Sequence, residues 1–131
     1  MSQEHEDGLR RALDAFNLRD KDRFLALCHP DFENVPPRDW PEFISTRGHE
    51  AVWEFFVANR DPWDASPLEY VEFIEAGNDR IAALVEGEVR GRASGAGVRW
   101  RFWQLSTFRE GKVLRVEWFG DRAEVLEAAG I

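Results

Sequence analysis

The chain has 131 residues, enough for one domain with a real core, and its 44% hydrophobic and 32% charged content excludes a disordered chain. Its formal net charge of −8 makes nucleic acid and anionic membrane surfaces poor partners. A single cysteine, Cys28, leaves no intrachain disulfide, no stretch approaches a membrane span, and the charged start MSQEHEDGLR lacks the apolar run of a secretory signal, so a cytoplasmic protein is expected.

Leu9, Ala12, Leu13 and Phe16 recur at helical spacing and predict a first helix. Asp20 is placed to cap a second, short helix holding Phe24, Leu25, Leu27 and Cys28, which His29-Pro30 would end. Residues 31–35 read as a brief strand and the stretch PPRDWP as a loop. A third helix is expected over 48–59, with Val52, Trp53, Phe55, Phe56 and Val57 as its apolar side, followed by a proline-bearing loop with Trp63. After Pro67 the period changes to two. Strands are predicted through Tyr70–Ala76 and Ile81–Arg90, with turns at Gly77-Asn78-Asp79 and Ser94–Gly97. Two long aromatic-rich strands then meet at a tight Glu110-Gly111 turn, and DRAEVLEAAGI closes as a short helix. The reading is one α+β domain over 1–131: three N-terminal helices, a bent antiparallel meander, and a C-terminal helix.

The stretches HPDFE, RGHEAVWEFF, GEVRGRASGAG and, above all, TFREGKVLRVEWFGDRAEVLEAAGI resemble the SnoaL-like branch of the NTF2-like superfamily from about residue 5 onward. The resemblance implies a cone, in which a strongly bent antiparallel sheet wraps a pocket and helices close one side. It also implies a homodimer. Relatives in this superfamily include polyketide cyclases, ketosteroid isomerases, limonene-type epoxide hydrolases and plain binding proteins, so fold membership alone does not fix an activity.

Pairing Arg109 with Lys112 across a regular two-residue turn would set Gln104 opposite Glu117, Ser106 opposite Arg115 and Phe102 opposite Phe119. One sheet face would then carry Trp100, Phe102, Gln104, Ser106, Phe108, Arg115, Glu117 and Phe119, aromatic groups mixed with polar ones as in a pocket wall. The other face, with Trp103, Leu105, Thr107, Leu114, Val116 and Trp118, would be open to cover by a partner subunit. A bulge at the turn would swap the two faces, since a one-residue slip inverts every side chain.

Glu117 is the candidate catalytic residue on this register. A carboxylate among apolar neighbours is shifted toward the pKa of a useful acid or base. It also falls at the aspartate of the W-R-D-Y-F-D motif of limonene-type epoxide hydrolases. The plain alternative is an ion pair with Arg115 or with a basic residue on the next strand. Asn34 matches the asparagine of the Y-x-N-x-P stretch of those enzymes, although Phe32 stands in place of the tyrosine and no arginine–aspartate pair occurs in residues 85–89. Its plain alternative is a turn or edge residue. Trp40 and Phe43 are candidate ligand contacts from a loop over the pocket mouth. Asn34, Trp100, Phe102, Gln104 and Phe119 complete the expected binding set.

His29 is read as a helix-end residue, His49 as exposed and His5 as part of a polar terminus. No spacing of His, Cys and carboxylate suits a metal, and no cofactor is expected. Cys28 reads as a small core residue. Three functions stay open. The first is a cofactor-independent acid–base enzyme acting through Glu117 on an apolar carbonyl compound. The second is a non-catalytic binding module for an apolar small molecule. The third is an interaction domain whose interior is filled by its own aromatics.

Overall fold

The computed structural model describes residues 2–39, 44–60, 63–65, 67–91 and 93–131. Helix α1 covers Ser2–Asn17 and buries Leu9, Ala12 and Ala15, the face its apolar spacing predicts. Helix α2 covers Lys21–Ala26, and Asp20 caps it by accepting from the Arg23 amide at 3.2 Å. Helix α3 covers His49–Arg60 and buries Val52 and Trp53. Phe24 meets Trp53 at 5.5 Å, and Phe16 meets Phe56 edge-on at 5.7 Å, so rings join the three helices.

The strands are β1 (Cys28–Val35), β2 (Thr46–Arg47), β3 (Trp63–Ala65), β4 (Glu69–Gly77), β5 (Arg80–Gly91), β6 (Gly97–Arg109) and β7 (Lys112–Phe119). They form one sheet in the order β2-β1-β7-β6-β5-β3, with β4 also on β5. The meander β4 to β7 is antiparallel as expected, but β1 runs parallel to β7, so the sheet is not purely antiparallel. The chain enters β1 beside the final strand, where the Val113 amide donates to the Leu27 carbonyl at 3.1 Å.

β2 and the short strand β3, set where a loop with Trp63 was expected, go beyond the sequence reading, and the junction of α2 and β1 differs from it. Cys28, His29 and Pro30 belong to β1 rather than to the end of α2. Pro30 has no N–H to give a ladder, and the β1–β7 register shifts between Cys28 and Glu33. His29 is therefore a strand residue whose Nδ1 accepts from the Asp31 amide at 3.0 Å.

The β6–β7 hairpin decides the site. Glu110 and Gly111 both have positive φ, 54° and 77°, the geometry of a tight two-residue hairpin turn, and Arg109 pairs with Lys112 as predicted. One step on, the ladder breaks. Phe108 pairs with Val113 but Thr107 pairs with Arg115, so Leu114 is an extra, bulged residue. From there Ser106 faces Val116, Leu105 faces Glu117, Gln104 faces Trp118 and Trp103 faces Phe119. Every side chain of β7 beyond the bulge lies on the opposite face from the one a regular hairpin would give.

The sheet carries apolar clusters on both faces. The inner one joins Leu9, Phe24, Phe32, Val52, Ile81, Ala83, Phe108 and Val116 with the three N-terminal helices. The outer one joins Ala82, Leu84, Trp103 and Leu105 with Val125 and Ala129 of helix α4 (Arg122–Ala129), with Phe119 packed against it. Helix α4 starts at Asp121, whose carboxylate accepts from the Glu124 amide at 2.8 Å, and stops at Gly130 in the left-handed conformation. Part of the outer face, expected to await a partner subunit, is thus covered by the chain's own last helix.

Candidate functional site

A cavity of about 580 Å³ lies between the concave side of the sheet and the N-terminal helices. Helix α1 contributes Leu9, Ala12 and Phe16, α3 contributes Phe55 and Phe56, and β7 contributes Val113, Val116 and Trp118. Gly87 of β5 lets Leu68 lie close across the strand, since a Cβ there would meet the Leu68 Cδ2 at 2.5 Å. Leu68 is held by Asn17, whose side chain donates to the Leu68 carbonyl at 2.9 Å and accepts from its amide at 3.1 Å.

Asn34, Trp100, Phe102 and Gln104 all line this cavity. Trp40 and Phe43 lie outside the described residues. Glu117 and Phe119 do not line it, and both departures have one cause, the bulge at Leu114. Phe119 packs with the outer cluster. Glu117 lies 3.7 Å from Arg115, which also reaches Glu33 at 3.5 Å, so the ion-pair alternative describes its surroundings. On β5, Val85 and Val89 line the cavity on either side of Gly87.

Two hydrogen-bonded pairs stand in the aromatic wall. Trp118 Nε1 donates to Asn34 Oδ1 at 2.7 Å, between neighbouring strands β7 and β1. Tyr70 donates its hydroxyl to Gln104 Oε1 at 2.8 Å, a bond that crosses the intervening β5. Asn34 is 1% exposed and its Nδ2 has no partner among the described residues. A buried amide N–H without an acceptor is costly, and an oxygen atom of a ligand would relieve it. The rings of Trp100, Phe102 and Trp118 sit 4.8 to 6.5 Å apart around this corner.

Sequence reasoning missed Tyr70 and Trp118 as wall residues. Tyr70 is the chain's only tyrosine, on a strand whose two faces are both partly covered, so alternation did not mark it. Trp118 was assigned to the far face by the unbulged register. His5, read as part of a polar terminus, is buried: it stacks on Phe108 at 4.6 Å, with Nδ1 3.2 Å from Glu75. His49 Nε2 lies 3.0 Å from the Cys28 carbonyl. Among the described residues no cluster of His, Cys, Asp and Glu could hold a metal, and no helix is long and apolar enough to cross a membrane.

The cavity lining contains no carboxylate among the described residues. Its two weak acids are held neutral. Burial pushes the Cys28 thiol up to about 12, and burial followed by the nearby Cys28 raises the Tyr70 phenol despite its bond to Gln104. These shifts have a sign in stability. As pH rises past the ordinary thiol value of 9.0, the unfolded chain loses the Cys28 proton while the folded chain keeps it. Stability therefore falls from about pH 9 to about pH 12. A thermal scan series should show the melting temperature dropping across this window, less steeply in Cys28→Ala. An equal slope in both proteins would contradict the assignment.

The SnoaL-like domain family matches residues 9–116 of the chain. No curated protein matches the sequence. Among solved structures, TerC, co-crystallised with polyporic acid, is 26% identical over 98% of this chain and 99% of its own, with a TM-score of 0.77. An NTF2-like protein of unknown function from Burkholderia pseudomallei K96243 is 24% identical over 98% of each chain, with a TM-score of 0.73. A protein from Xanthomonas campestris pv. campestris, provisionally assigned as a polyketide cyclase, is 15% identical over 97% of each chain, with a TM-score of 0.72. The bent sheet, the helices that close it and the family match over most of the length agree, and the chain belongs to the SnoaL-like domain family, with the NTF2-like fold.

Proposed function

We propose that this protein binds a flat, largely apolar carbonyl compound in the cone, and that Asn34 orients it. The observation that carries this reading is the Asn34 Nδ2, a buried donor without a partner among the described residues. Around it the wall offers aromatic faces and a second amide, Gln104, whose oxygen is already taken by Tyr70. A ligand oxygen that accepts from Asn34 while its ring system stacks within the aromatic corner satisfies both features.

Binding is favoured over acid–base catalysis for a chemical reason. Removing a proton next to a carbonyl needs a base, and the described cavity residues supply none: Tyr70 and Cys28 are held protonated. The co-crystallisation of the similar TerC with polyporic acid is in line with a small organic ligand.

The test compares fluorenone with fluorene, which differ in the carbonyl alone, by quenching of tryptophan fluorescence and by thermal shift. Fluorenone is expected to bind about fivefold to tenfold more tightly, the scale of one hydrogen bond to a buried donor. Equal affinities would reduce the cavity to an unspecific apolar hole. Absence of binding by either would remove the reading.

A further inference from the structure

The cavity has a charge of its own. Its lining residues include Arg19, Arg60 and Arg99 and, among the described residues, no carboxylate, within a chain of net charge −8. Such a segregation of sign favours one kind of guest. The three guanidinium groups are not equivalent. Arg99 is engaged by Glu86, which lies outside the lining. Arg60 lies over the rings of Phe16 and Trp53, at 4.9 and 5.4 Å, and donates to the Phe16 carbonyl at 3.2 Å. Arg19 has no ion pair or side-chain hydrogen bond among the described residues.

The Arg19 backbone is fixed at the end of α1. It follows the end of α1 with φ of 58°, a left-handed conformation that is uncommon for a residue with a side chain, and its amide donates to the same Phe16 carbonyl at 3.0 Å. Arg19 and Arg60 therefore share one rim of the cavity, beside Asn17 and Leu68. Asn34, almost fully buried, lies deeper.

We propose that the ligand is an acid: an aromatic carbonyl compound with an ionised carboxylate or acidic enol that meets Arg19 at the rim, while its carbonyl oxygen accepts from Asn34. This rests on the binding reading above and adds the class of ligand. The plain role for cations here is to complement the carbonyl end of α1, and that role predicts no preference among ligands.

Isomeric fluorenone carboxylates, each measured against its own carboxamide, separate the two. The members of a pair have nearly the same shape and differ in charge. At neutral pH and low salt the best-fitting carboxylate is expected to bind about threefold to fivefold more tightly than its amide, as for a partly exposed ion pair. Added salt should shrink that ratio, and Arg19→Gln should bring it to about one. A ratio of one in the native protein for every isomer, or a ratio that survives Arg19→Gln, overturns the proposal. If fluorenone binds and the carboxylates gain nothing, only the acid is wrong. If fluorenone itself does not bind, the binding reading fails and this one with it.

Discussion

Val116→Asp is expected to abolish the native fold. Because of the bulge at Leu114, Val116 stands opposite Ser106 on the inner face, 6% exposed, in the cluster that holds Phe32 and Ile81. The substitution loses the burial of the valine, about 1.5–3 kcal/mol, and an unpaired charge turned inward costs several more. The sum approaches the ~5–15 kcal/mol that holds a typical domain together. Loss of the near-ultraviolet circular dichroism of the tryptophans and of a cooperative melting transition is the expected readout. Deleting Leu114 removes the bulge but leaves Ser106 opposite Val116 and Gln104 opposite Trp118, so that variant should keep the faces of β7 and a cooperative transition. A Val116→Asp variant that melts like the native protein would show that β7 presents the faces of a regular hairpin instead.

The second large effect is on affinity without a matching effect on stability. Asn34→Leu removes the acceptor of the Trp118 indole, which costs about 1–3 kcal/mol, and it also removes the unpartnered Nδ2, which returns a similar amount. The shape is nearly conserved, so the unfolding free energy should stay within about 1 kcal/mol of the native value. Fluorenone affinity should fall about tenfold, because its oxygen loses the donor, while fluorene affinity should hold. Denaturant titration and fluorescence quenching give the two numbers. A large stability loss with unchanged selectivity would make Asn34 a structural amide and leave the donor to be sought at Gln104.

The sequence carried the elements well and the faces only halfway. The Glu110-Gly111 turn, the alternation along β6 and the Asp121 and Gly130 caps of α4 are local signals, written in residues with narrow backbone or hydrogen-bonding preferences. The alternation along β6 sets Trp100, Phe102 and Gln104 on one face, and all three line the cavity. The bulge has no such signature. Val113 and Leu114 are both apolar, so the run VLRVEWF alternates plausibly on either register, and only three-dimensional packing chooses. Glu117 and Phe119 were misplaced together for that reason. Pro30 misled in another way: a proline that looked like the end of a helix is a residue of β1 where the ladder to β7 lapses. His5 was invisible as a core group because its contacts, Phe108 and Glu75, are remote in the chain.

Helix α4 lies against the convex side of the sheet, away from the cavity, yet it bears on what the interior can become. Because Ala82, Leu84, Trp103 and Leu105 are sealed beneath Val125 and Ala129, β5 and β6 keep an anchor that does not depend on filling the hollow. Residues on the concave side can then drift toward new shapes and polarities while the scaffold persists. A fold built this way can exchange wall residues without losing its scaffold, so shared architecture need not mean shared chemistry.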